Sequence, residues 1–333
     1  DPSDVRRTFL ILGVVTAALG TTMCLGQRHV KRLLAYSTIA HVGLFTAAMA
    51  LLSGSGTSGA LLYVAGHAGA KSALFLLAGI LLNRYGSVDE HELFAQGTQA
   101  RWLGLAWVVA AFALAGLPPF GTALGKAVAE EAALDDGQGW LVAVFILVSA
   151  LTAGAVLRVA GRVFLGLGPP PRKADDGQES TGREKPEARL TRIPLTMAAA
   201  IGILLVGTLA EGLMPSARAA ADHAAAFFTH PEIYRRAALE RLGGSAGVTP
   251  EPNWTGLGLG LGFLSSALAL GAAATGLYGR RIADRAGTLA HAGSRAMSCL
   301  HRLHSGHIGD YVAWLMTGVA ALTAIVGLPL LRS

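Results

Sequence analysis

Nine runs rich in Ala, Leu and Gly divide this chain, at 9–25, 33–52, 60–82, 102–117, 120–134, 140–165, 195–213, 254–277 and 308–331. None alternates apolar and polar residues with period two, so they read as helices rather than barrel strands. Several approach the roughly 20 residues that a helix needs to cross a bilayer. Over 333 residues the chain is 52% hydrophobic and only 14% charged, against about 25% charged in a soluble domain. The expectation is an all-α polytopic bundle in a membrane. A net charge of +6 does not point to nucleic acid, because the basic residues are scattered between apolar runs.

The apolar run "GHAGAKSALFLLAGILL" places His67 and Lys71 one helical turn apart. An ionisable side chain at membrane depth is costly and needs a partner or a task. Spacing of i, i+4 puts both on one face. Burial brings the charged and neutral forms of lysine closer in free energy, and histidine exchanges protons near neutrality, so the pair suits proton passage through water. A lone core histidine bonded to a backbone carbonyl is the plainer alternative. Lys71 beside it and Lys126 in another helix favour the relay.

In "ALAGLPPFGTALGKAVAEEAAL", Pro118 and Pro119 lack backbone donors and are flanked by Gly116 and Gly121, which predicts a helix break. Lys126 follows at about a turn and a half. A broken helix with an ionisable residue beside the break is how transporters build midplane ion sites. A surface hairpin with Lys126 near the headgroups is the competing reading. Glu130 stands four residues after Lys126, the spacing of a helical ion pair. Asp135 and Asp136 read as the aqueous end of a short helix. "GQRHVKRLLAYSTIAHVG" is either a tight turn with snorkelling basic side chains or an interrupted helix holding Lys31 beside His41.

With alternating crossings, Arg6, Arg7, the basic cluster at 158–192 and Arg280, Arg281, Arg285, Arg295 and Arg302 share one side. Arg28, Lys31, Arg32, Arg84, Arg101, Arg218, Arg235, Arg236, Arg241 and Arg332 share the other. The positive-inside bias then favours the first side as cytoplasmic. Segments 215–242 and 279–304 are amphipathic and are expected on the membrane surface or against partners. The two cysteines, Cys24 and Cys299, are far apart and form no metal or disulfide pattern. No iron–sulfur, phosphate-loop or divalent-metal pattern occurs. No catalytic site, cofactor or metal is therefore expected on this chain.

"VKRLLAYSTIAHVG", "HAGAKSALFLLAG" and "GLPPFGTALGK", in that order, resemble the antiporter-like proton-translocating subunits of respiratory complex I, membrane-bound hydrogenases and multi-subunit sodium/proton antiporters. The resemblance implies that Lys31 links two half-channels, that His67 and Lys71 are central, and that Lys126 serves the exit half-channel. His41 and Glu130 are candidate modulators. It implies one repeat of the inverted-repeat antiporter-like fold with a C-terminal extension. Residues 1–32 would hold the last helix of a missing first repeat, 33–167 the second five-helix repeat, 168–194 a polar cytoplasmic loop, and 195–333 C-terminal helices with amphipathic surface segments.

The start "DPSDVRRTFLILG" shows no leader pattern, and the chain is expected to be part of a longer or split protein. The expected function is proton translocation in a complex I-like or hydrogenase-like assembly of membrane and peripheral subunits, which carry any redox chemistry. The expected setting is a cell membrane, that of a bacterial inner membrane. The alternatives are a non-transporting scaffold, a multi-subunit sodium/proton antiporter subunit in which sodium replaces or accompanies the proton, and an autonomous transporter.

Overall fold

The computed structural model describes residues 2–170, 193–229 and 253–286, with isolated positions 232, 235, 316, 318 and 320. Residues 1–284 form one compact unit. Of the second unit, 285–333, only positions 285, 286, 316, 318 and 320 are described, all helical. The expected surface helix at 279–304, the loop at 168–194 and the span at 308–331 thus lie largely outside the described residues.

The ordered elements among the described residues are helices: α1 (Pro2–Gly26), α2 (Val30–Met49), α3 (Gly54–Tyr85), α4 (Arg101–Ala115), α5 (Gly121–Asp135), α6 (Trp140–Leu165), α7 (Leu195–Leu213), α8 (Pro215–Thr229) and α9 (Gly256–Ala286). Five are long and apolar enough to cross a membrane: α1, α3, α6, α7 and α9, the last over Gly256–Gly279. Helices in lipid gain little from hydrophobic burial against one another, so close backbone packing holds them together. Gly13 of α1 meets α2 in this way, since a methyl group there would lie 2.7 Å from the Gly43 carbonyl oxygen.

Neither α4 nor α5 can cross alone. Each has 15 residues, about 22 Å of helix against a hydrocarbon core of about 30 Å. Gly59, Tyr63 and Gly66 of α3 lie against Ala129, Gly125 and Thr122 of α5, so the two helices run antiparallel. The Trp107 indole of α4 donates to the Val156 carbonyl of α6 (2.9 Å), and Gly97 and Gly104 pack on Phe164. The α4 and α5 segments are therefore successive halves of one crossing, interrupted at residues 116–120. The interruption begins at Gly116, whose φ of 86° is the left-handed conformation that ends a helix cheaply only at glycine.

This single crossing changes the parity of everything after it. Arg6 pairs with Asp136 at one end of the bundle. At the other end Arg158 donates to the Leu25 carbonyl (3.0 Å) and the Gln27 carbonyl (2.7 Å) and pairs with Glu90 (3.1 Å). Arg162 also reaches Glu90 (3.3 Å). Arg158 and Arg162 thus stand at the Glu90 end with Arg28, not with Arg6 as alternation over two separate runs had implied.

The "QRHVKR" stretch is a tight turn. His29 caps α2 by accepting from the Arg32 N–H (3.4 Å), and Val30 donates to the Val88 carbonyl (2.8 Å) while Glu90 donates to that of Arg28 (3.0 Å). Lys31, half-buried in the first turn of an unbroken α2, is ten residues and about 15 Å of helix from His41. It is not beside it. Of the 215–242 segment, α8 rests one face on the bundle. There Arg218, Ala221 and Ala225 are buried, and Asp222 accepts from Ser58 of α3 and from Arg218.

The apolar interior is in two storeys. One, toward the Glu90 end, is built on Leu33, Leu34, Leu74, Leu77, Leu81, Trp107 and Val156. The other, toward the Asp136 end, is built on Ala17, Leu44, Ala47, Tyr63, Ala129 and Phe145. Between them lie Ser37 and His41 on α2 and His67 and Lys71 on α3, all buried.

Candidate functional site

Three helices feed the polar layer through four-residue spacings that keep side chains on one face. On α2 these are Ser37, His41 and Phe45, on α3 Tyr63, His67 and Lys71, and on α5 Lys126 and Glu130. From α6, Ser149 and Thr152 complete it.

With the Thr152 hydroxyl donating to its own helix, the side-chain bonds take one direction through the middle. The Thr152 hydroxyl gives its proton to the Val148 carbonyl (2.7 Å), so its oxygen accepts from His41 Nε2 (3.1 Å). A neutral imidazole then has Nδ1 as acceptor, which takes the Tyr63 O–H at 3.0 Å. With its proton so committed, Tyr63 accepts from Ser149 (3.2 Å). The resulting order is Ser149, Tyr63, His41, Thr152.

His67 lies over His41 with ring centroids 4.6 Å apart and meets the edge of Phe45 at 5.3 Å. Both of its ring nitrogens are buried and bond no group among the described residues. A buried polar atom with no protein partner calls for water or a transferable proton. Lys71 donates to the Leu34 carbonyl (3.1 Å) and to Ser37.

Lys126 is buried at the break, its stem beside Gly116. Its ammonium pairs with Glu130 at 3.3 Å and donates to Ser265 of α9. The spacing that suggested an ion pair produces one. Asp136 caps the far end through Arg6, and Asp135 is exposed.

The candidates thus divide. His67, Lys71 and His41 come together, Lys126 with Glu130 lies on α5 next to Gly125, which meets Tyr63 of α3, and Lys31 stands apart at the Glu90 end. Sequence reasoning missed Tyr63, Ser37, Ser149, Thr152 and Ser265. Tyr63 and Ser37 carried a signal in their four-residue spacing to His67 and His41. Ser265 carried none. Among the described residues, no group of three or more His, Cys, Asp or Glu could hold a metal ion.

Fold and site together define a multi-pass α-helical membrane protein whose interior holds several buried titratable side chains. The family described as NADH:quinone oxidoreductase/Mrp antiporter, transmembrane region, matches residues 2–152, and that segment is similar to the antiporter-like membrane subunits. The F(420)H(2) dehydrogenase subunit N of Methanosarcina mazei is 29% identical over 64% of this chain and 42% of its own length. NADH-quinone oxidoreductase subunit N 2 of Roseiflexus castenholzii is 31% identical over 60% of this chain and 39% of its own. A chain in the structure of the Mrp complex from Dietzia sp. DQ12-45-1b aligns at TM-score 0.60 and 26% identity, covering 72% of this chain and 50% of that one. The chain spans about two fifths of the length of these curated relatives.

Proposed function

We propose that this chain carries protons across a membrane as part of an antiporter-like subunit, along Lys71, His67, His41, Tyr63 and the Lys126–Glu130 pair. The observation that carries the reading is His67: a buried imidazole with two unpartnered nitrogens, stacked on a histidine whose own bonds are directed. For His41 Nδ1 to receive a proton, Tyr63 must turn its O–H toward Ser149, and the order of donors reverses. Such a reversal is how a hydrogen-bonded file passes charge without moving heavy atoms far. Lys126 then shares or releases a proton beside Glu130.

The translocating unit in this reading is the five crossings α1, α2, α3, α4 with α5, and α6, and α7 to α9 are an extension packed on the break. The expected five-helix repeat at 33–167 takes in α2 to α6, of which α4 and α5 share one crossing, and the proposed unit adds α1. Lys31 serves the Glu90 end, as an entry group or an anchor. The relatives are subunits of larger complexes by their names, so partner subunits carry the redox chemistry or complete the antiporter. The setting is a cell membrane with the arginine-rich Glu90 end in the cytoplasm.

The test is proton uptake by proteoliposomes of the assembled complex, at matched protein content, with Lys71→Ala and Lys126→Ala. Loss of uptake in both supports the relay. Wild-type uptake in both leaves a scaffold, a second reading favoured by the closed Lys126–Glu130 pair, which on its own also suits a static brace.

A further inference from the structure

The α7 helix ends where the α4–α5 crossing is broken. Gly212 lies against the Pro119 carbonyl, and the Trp254 indole donates to the Gly212 carbonyl (2.9 Å). One residue earlier, Glu211 turns its carboxyl into this junction. A methyl group at Gly66 of α3 would lie 3.0 Å from Glu211 Oε2, and one at Gly121 of α5 would overlap the carboxyl. Two glycines on two helices therefore form its cradle. Glu211 Oε1 is buried and bonds nothing among the described residues. One turn back, Thr208 Oγ1 is also buried and unbonded, and its side chain faces Gly69 of α3.

Both protonation states have support at this place. The α5 helix has no side-chain cap at Phe120, and the carboxyl lies beside Gly121 at its N-terminus, where a helix favours negative charge. The charged and titratable groups on the packed elements have other engagements. His67 stacks on His41 and Lys71 donates to Leu34 and Ser37. On α5, Lys126 pairs with Glu130, on α8 Arg218 pairs with Asp222, with His223 further along that helix, and on α4 Arg101 stands at the opposite end. No ion pair joins Glu211 to any of them among the described residues. Gly66 precedes His67 directly, which brings the carboxyl to the helix turn that bears the unbonded imidazole.

We propose that Glu211 is a further proton-binding residue of the file, taking a proton from water at the break and returning it to water beside His67. The step is a transfer of one proton between hydronium or water and the carboxylate, with no other bond made or broken. The inference rests on the proton-carrying reading above but has a readout of its own.

The experiment is pH-difference infrared spectroscopy of the assembled complex containing the full chain, with proton uptake measured on the same preparations. Glu211→Gln keeps the shape and is expected to remove one carboxylic C=O band that Glu130→Gln leaves in place, and to slow uptake about tenfold or more. Glu211→Asp retains an acid, drawn back from Gly121, and is expected to keep a shifted band with partial uptake. An unchanged spectrum in Glu211→Gln overturns the proposal, as does a lost band with wild-type uptake, or a band that follows sodium rather than pH. If Lys71→Ala and Lys126→Ala take up protons normally while the band is still lost in Glu211→Gln, the relay fails and the proton site on Glu211 stands.

Discussion

His67 sits on His41 at 4.6 Å between ring centroids, and of the two only His41 is held by hydrogen bonds. The fixed ring sets a direction and the free ring can turn. His67→Gln, which cannot accept and release a proton at neutral pH, is expected to lower proton uptake roughly a hundredfold with little change in assembly. Phe45→Ala, which removes the edge contact on His67, is expected to cost less, because the exchanging nitrogens remain. Uptake by the two variants in proteoliposomes checks this order.

At the break, the chemistry of the cation matters more than its charge. Lys126→Ala is expected to abolish uptake, and Lys126→Arg to fail in restoring it, since a guanidinium keeps its proton at any accessible pH. Glu130→Gln leaves Lys126 with Ser265 alone and is expected to alter the rate and its pH profile without loss of the folded complex. Rates measured across pH for the three variants decide it.

Glu90 holds Arg158 and Arg162 together while Arg158 also ties down the α1–α2 turn. Glu90→Gln removes the negative charge between two arginines, and breaking a buried pair from one side typically costs about 3–5 kcal/mol. A clear fall in the thermal midpoint of the detergent-solubilised complex is the expected result. Glu90→Leu combined with Arg158→Met is expected to recover much of the loss.

Ser87 and Gln138 lie beyond opposite ends of the bundle, the first beside the Glu90 clasp and the second after Asp136. Cysteines at these positions are expected to react with impermeant thiol reagents from opposite faces, Ser87→Cys from the cytoplasm. Labelling of both from one face would show that α4 and α5 are separate crossings.

Gly125 meets the backbone of Tyr63 so closely that a methyl group would overlap it. Gly125→Ala is expected to separate α3 from α5 and to lower both complex yield and uptake, more than Gly79→Ala, where nothing lies within 4 Å.

The apolar runs, the break at Pro118–Pro119 and the i, i+4 pairs were legible because each is local: it needs only helical geometry and the missing donors of proline. His67, Lys71 and Lys126 followed from the cost of charge in lipid. What failed to show was three-dimensional. Two apolar runs on either side of a break look like two spans, and only the antiparallel seating of α5 on α3 reveals one, so the sidedness of Arg158 came out reversed. Between a tight turn and an interrupted helix holding Lys31 beside His41 periodicity could not choose, and the structure has the turn, with ten residues of unbroken helix between the two. The seat of α8 could not be read, because Asp222 meets Ser58, which lies 164 residues away in sequence. Glu211 sat unnoticed in an apolar run, its cradle made by glycines, which carry no chemical signal of their own.

The α5 helix has a bearing on how the protein is made. Its 15 residues include Lys126, Glu130, Glu131 and Asp135, and each charge at the centre of a lone helix opposes insertion by about 2.5–3.5 kcal/mol. Left to itself, such a segment stays in water as the ribosome delivers it. It becomes a membrane helix only when α3 has already arrived and offers Gly59 and Gly66 as a seat, and Ser265, the last partner of Lys126, is synthesised 139 residues later. Lys126 is therefore delivered well before the serine on α9 that completes its surroundings.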